Sequence, residues 1–105
     1  MGNRAVLCLK DDNTEGFDEN EVGIYLHWHG YSDTVESFLS KAKEVMQDRV
    51  SDASYTKARL IQVIGNEIPG NLSMGVGICK YLDYESDNGA YIIDCSTLTI
   101  IGREQ

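Results

Sequence analysis

The chain is poor in proline, in basic residues and in long apolar runs, and each shortage excludes something. One Pro in 105 residues leaves no proline-rich linker, and 25% charged beside 42% hydrophobic residues excludes low-complexity disorder. Apolar stretches run to a few residues, far short of the roughly 20 that cross a bilayer as a helix. Seventeen acids against nine bases give a net charge of -8 and a pI near 4.5. That balance excludes a nucleic-acid binder working by phosphate neutralisation. Cys8, Cys79 and Cys95 are an odd number, lack C-x-x-C spacing and sit among apolar neighbours. They read as small buried hydrophobes, not as a disulfide scaffold or a thiolate metal site. No basic region followed by an apolar stretch opens the chain, so no secretory signal is expected and a reducing cytoplasm is the predicted setting. The length suits a single domain over residues 1–105.

Hydrophobic spacing then sets the elements. Residues 3–9 read as a buried strand, and residues 21–28 alternate, with Val22, Ile24, Leu26 and Trp28 facing the core. Asp33 followed by Glu36 resembles a capping box, and Val35, Phe38, Leu39, Ala42, Val45 and Met46 mark an amphipathic helix to about Val50. Ser51 or Asp52 is placed to cap a second helix with Tyr55, Ala58, Ile61 and the pair Val63-Ile64 inward, stopped at Gly65-Asn66 and followed by a Pro69-Gly70 turn. Strands are predicted at 73–81, 90–95 and 98–102, with Asn88-Gly89 as a turn. The order ββααβββ predicts an α+β two-layer sandwich, an antiparallel sheet of about five strands covered on one face by two helices.

The negative charge is concentrated in two places. Residues 33–59 carry five acids and five bases, which cancel. Residues 11–21 hold six acids and no base, and residues 83–94 hold four acids and no base. Such runs keep a protein soluble, and they can also form an acidic face that steers toward a Lys/Arg-rich partner. The residues expected to bind that partner are Asp11, Asp12, Glu15, Asp18, Glu19 and Glu21, then Asp83, Glu85 and Asp87. Loops sharing one end of the sheet would favour the acidic-face reading, and loops at opposite ends would weaken it.

Motifs with other chemistry are incomplete. Asp11-x-Asn13-x-Glu15-Gly16 opens like a calcium loop, but the twelfth position is Val22 and Glu21 falls one residue early. His27 and His29 could share a strand face, but a zinc site needs three or four protein ligands and spacing signals no third. Gly65, Gly70, Gly75 and Gly77 follow a helix C-terminus, where the dipole repels phosphate. There is no nucleophile elbow, H-E-x-x-H or Walker motif. The expectation is a protein that is not an enzyme and has no metal and no cofactor. A second reading gathers His27, His29, Tyr31, Arg59, Gln62, Asn66 and Ser73 into a site for a nucleotide-type small molecule.

Gly2-Asn-Arg-Ala-Val6, Ile24-Tyr-Leu-His-Trp-His-Gly30, Ala58-Arg-Leu-Ile-Gln-Val-Ile-Gly-Asn66, Leu72-Ser-Met-Gly-Val76 and Asp87-Asn-Gly-Ala-Tyr-Ile92 carry a resemblance. In these segments the chain resembles small uncharacterised accessory proteins of phages and other mobile elements of gut bacteria. The resemblance covers most of the chain outside residues 10–20 and 40–55. His29 departs from it, since the group often has Asn there, and this weakens a two-histidine metal site. The resemblance implies a setting in which small acidic accessory proteins counter host defences. It implies no activity. With the acidic loops and the missing catalytic motifs, the expectation is an inhibitor in the bacterial-host cytoplasm, anti-CRISPR-like or otherwise anti-defence, that binds stoichiometrically to a host defence protein with a basic surface. Sequestration of a nucleotide immune signal, and a structural phage protein forming homo-oligomers through edge strands, stand as alternatives. No direct contact with nucleic acid or membrane is expected.

Overall fold

The computed structural model describes residues 3–14, 16–49, 51–68, 73–85 and 87–104, with Asp48 by its backbone alone. Its centre is β1 (Ala5–Lys10), buried along its whole length. The unbroken run Ala-Val-Leu-Cys-Leu suits a strand with neighbours on both edges and material on both faces. β2 (Val22–Leu26), β3 (Met74–Ile78), β4 (Ala90–Asp94) and β5 (Thr99–Glu104) complete a five-stranded sheet in the order β3-β2-β1-β4-β5. Between β2 and β3 come α1 (Ser32–Met46) and α2 (Ala53–Glu67), so the fold is α+β in the expected ββααβββ order.

One of the four strand pairings differs from the antiparallel expectation. β1–β2, β2–β3 and β4–β5 are antiparallel, but β1 and β4 are parallel, with Val6 opposite Ala90 and Lys10 opposite Asp94. The sheet is therefore mixed. β2 reverses β1 and β3 reverses β2, so β3 leaves the sheet running in the direction of β1. A parallel β4 must then start at the far end, and a tight hairpin cannot connect it. Residues 79–89 make that crossing instead. Gly89 ends it at a φ of 69°. The crossing is tied to β1 by Asn88 N–H to Arg4 O and Val6 N–H to Gly89 O, both 3.0 Å.

The front face of the sheet carries the main core. Ala5, Leu7 and Leu9 of β1, Ile24 and Leu26 of β2, and Tyr91 and Ile93 of β4 meet Val35, Phe38, Leu39 and Ala42 of α1 and Leu60, Ile64 and Ile68 from α2 and its cap. Each buried Leu or Ile contributes roughly 1.5–3 kcal/mol relative to exposure. Tyr91 also satisfies its hydroxyl inside this core, donating to the Gly30 carbonyl at 2.7 Å.

Several boundaries and faces shift from the sequence reading. β2 stops at Leu26, and Trp28 beyond it is 50% exposed instead of in the core, because the alternation that would aim it inward has ended. The N-cap of α1 is Tyr31 and no side chain caps the helix; Asp33 lies inside the first turn. That helix ends at Met46, where Gln47 takes a φ of 54° before a short 3-10 turn over Gln47–Arg49. Val50 lies outside the described residues. α2 buries Thr56, Leu60 and Ile64, with Ile61 partly buried, while Tyr55 and Ala58 face outward. Gly65 lies within α2 and is exposed, so the helix passes it and closes at Ile68, whose N–H bonds Ile64 O. The Pro69-Gly70 turn lies outside the described residues. The strand expected at 73–81 ends at Ile78 and gives way to a 3-10 turn, Cys79–Tyr81. A bulge in β5 sets Ile92 opposite Gly102 but Ile93 opposite Ile100, leaving Ile101 between them.

Candidate functional site

The back face of the sheet, away from the helices, receives apolar residues from both acidic connections. Val6, Cys8, Cys79 and Ala90 form a second, smaller core there, with Phe17, Tyr25, Leu82 and Tyr84 packed against it. Phe17 belongs to the first connection and Tyr84 to the crossover, and their rings meet at 4.7 Å between centroids. Backbone bonds join the same two segments: Cys79 N–H to Glu21 O at 2.9 Å and Lys80 N–H to Glu19 O at 2.8 Å. Each acidic run thus carries an apolar anchor, and the anchors hold the runs together over one face. The first connection leaves the end of β1, while Asp83 and Asp87 of the crossover reach Arg4 at its start. These carboxylates and the first connection thus lie toward opposite ends of the sheet, the arrangement that weakens the acidic-face reading. The connections meet over the back face, and the crossover then continues to the start of β1.

Four of the predicted acids are tied to cations of the fold. Lys57 of α2 bridges Asp11 at 2.6 Å and Glu21 at 3.3 Å. Burial opposes its charge, but the hydrogen bond to Asp11 and the Glu21 carboxylate outweigh it, and the Lys57 pKa lies above its ordinary value. Arg4 bridges Asp83 at 3.1 Å and Asp87 at 3.2 Å. The Arg4 hydrogen bonds hold the Asp87 carboxyl below the usual carboxylate range. Lys10 is buried, and its ammonium donates to the carbonyls of Thr14 at 2.9 Å and Gly16 at 3.0 Å, so the first connection is wrapped around a cation.

The other described acids point outward. Asp12 accepts from the Thr14 N–H and hydroxyl, which lower its pKa and fix its turn. Asp18 accepts from the Asn20 N–H. Asp12, Asp18, Glu19 and Glu85 are exposed and take no salt-bridge cation among the described residues. Glu15 lies outside the described residues. Among the described residues the two segments carry eight of the predicted acids, against Arg4, Lys10, Lys57 and Lys80 beside them, so negative charge remains in excess.

The residues of the small-molecule reading are dispersed in character. The His27 backbone N–H donates to Ser73 O at 3.0 Å, and the ring Nδ1 pairs with the Tyr25 hydroxyl at 2.7 Å. His29 packs near Phe38, with ring centroids 6.5 Å apart. Tyr31 is 65% exposed, and Gln62 and Asn66 lie on the outer side of α2. His29 Nδ1 and Arg59 Nε are buried without a hydrogen-bond partner among the described residues. No pocket forms among the described residues to collect these groups.

Sequence reasoning missed the bases that neutralise the loops and the apolar anchors that join them. A signal for the anchors was present: Phe17 and Tyr84 are aromatic residues set inside acidic runs, where solvated loops have little use for them. Arg4 and Lys57 gave no such signal, because their partners lie far along the chain, whereas Lys10 binds carbonyls only four and six positions on. The chain matches no protein-family model, no curated protein and no solved structure.

Proposed function

We propose that the protein works without catalysis, as a binding module whose acidic back face engages a Lys/Arg-rich surface of another protein. The observation that carries this reading is the joining of residues 11–21 to the crossover through Phe17 and Tyr84, which turns two charged loops into one surface. Within it, Asp12, Asp18, Glu19 and Glu85 are the exposed carboxylates that would meet the partner. Asp11, Glu21, Asp83 and Asp87 are held by Lys57 and Arg4 and keep the loops in place. Charge of this kind raises association rate and selects against acidic competitors. Stoichiometric inhibition of a bacterial defence protein is the particular use proposed, on the resemblance to phage and mobile-element accessory proteins.

The test compares capture from a bacterial lysate by the wild-type protein and by the triple variant Asp18→Lys, Glu19→Lys, Glu85→Lys. The captured partner is then titrated at rising salt. Loss of binding and a flattened salt dependence in the variant are expected. Equal capture with an unchanged salt slope refutes the electrostatic reading.

A further inference from the structure

We propose that Cys8 and Cys79 form a redox pair, closing to an intramolecular disulfide beneath the two acidic connections. Cys8 of β1 is the register partner of Gly23 in β2. Directly opposed residues of an antiparallel pair have Cβ positions about 4.5–5.5 Å apart. Gly23 has no side chain, and the Cys79 sulfur takes its place, 2.6 Å from where a Gly23 Cβ would stand. That places the Cys79 sulfur beside the Cys8 side chain, although the residues are far apart in sequence. Both are fully buried in the same small cluster, whereas Cys95 lies in the main core on the opposite face. Both also touch the first acidic connection: the Cys8 thiol contacts the Asp18 carbonyl at 3.7 Å, and the Cys79 N–H bonds Glu21 O at 2.9 Å.

The proximity of the two thiols lowers the Cys8 pKa and raises that of Cys79. The same bonds form and break with either sulfur attacking first, written below for Cys8. With hydrogen peroxide as oxidant, the Cys8 thiolate attacks one oxygen, the O–O bond breaks and hydroxide leaves, giving a sulfenic acid. Cys79 then attacks the Cys8 sulfur, the S–O bond breaks, and water leaves with the Cys79 proton. Two thiols lose two electrons and one peroxide becomes two waters. Access comes from local opening of the short turn over Cys79–Tyr81 and of Leu82, which cover the pair. A closed bridge would pin that turn, and the acidic segments bonded to it, directly to β1.

The experiment treats the folded protein with hydrogen peroxide, then denatures it, alkylates it and maps its peptides without reductant. The expected product joins the Cys8 and Cys79 peptides with loss of two hydrogens, is reversed by dithiothreitol, and leaves Cys95 alkylated. Cys95→Ser keeps the cross-link and Cys79→Ser loses it. Mapping of the wild-type protein decides the matter even if a serine variant folds poorly. Alkylation of both Cys8 and Cys79 after peroxide, their separate over-oxidation, or links between chains would overturn the proposal.

Discussion

Replacing Gly30 by Ala tests how tightly the start of α1 is seated on the sheet. The added methyl would stand 2.6 Å from the Asn3 carbonyl oxygen, 2.8 Å from Asn88 Nδ2 and 2.9 Å from the Ala5 Cβ. Asn3 O is backbone and Ala5 is the fully buried first residue of β1, so neither can swing aside. The joint between β2 and α1 must move outward instead. That movement stretches the Gly30 N–H to Asn3 O bond of 2.9 Å and the Tyr91 hydroxyl bond to Gly30 O of 2.7 Å. Overpacking costs about 1–3 kcal/mol, and each weakened bond adds about 1 kcal/mol. The stiffer unfolded chain of the Ala variant returns less than about 1 kcal/mol. The expected net loss is about 2–5 kcal/mol, measured by urea unfolding with a shared m-value. Gly75→Ala is the control, because nothing lies within 4 Å of its Cβ position. It should stay within about 0.5 kcal/mol of wild type, in line with substitutions at open surface positions. Tyr91→Phe, which strips only the donor from Gly30 O, should cost about 1–3 kcal/mol. A Gly30→Ala protein as stable as Gly75→Ala refutes the packing argument.

Other expectations follow from single residues. Trp28→Ala should cost under about 1.5 kcal/mol, the upper range for its ring contact with His27 at 4.4 Å, against about 3–5 kcal/mol for a core tryptophan; urea unfolding separates the two. Gln47→Gly should stabilise by about 0.5–1 kcal/mol in thermal unfolding, since the φ of 54° and ψ of -120° that end α1 suit glycine better than a side-chain-bearing residue. Asp87 has a lowered pKa in the folded protein, so its contribution to stability is complete above the ordinary carboxylate pKa and is lost as pH falls through the folded value. Asp87→Asn should therefore be less stable than wild type at neutral pH and should show a shallower loss of stability below about pH 4, followed by circular dichroism across a pH series.

The element order was legible because β2 and α1 show their periods and β1 shows an unbroken apolar run. Less legible was anything decided by a distant partner. Trp28 continues the alternation of Val22, Ile24 and Leu26 on paper, yet the chain leaves the sheet before reaching it. The second half of the inward face of α2 is legible in Ile61, Val63 and Ile64, but its first turns are not, because Tyr55 and Ala58 look apolar while Thr56 is the residue that is buried, its hydroxyl satisfied by the Asp52 carbonyl at 3.0 Å. Asn88-Gly89 has the composition of a hairpin turn, but hairpin or crossover depends on which strand β4 finds, and that choice lies with β1. The acidic segments were visible as runs of charge. Their union was not, because Phe17 and Tyr84 meet only after the crossover is laid across the sheet.

That crossover also dictates an order of assembly. Leu7 and its neighbours in β1 are made well before their partners in β4, so one side of the strand stays open until β4, more than eighty positions later, arrives to close it. Until then the nascent chain presents a sticky, hydrogen-bond-hungry ribbon to everything around it. Fragments cut between β3 and β4 should for this reason clump, while the whole chain stays in solution.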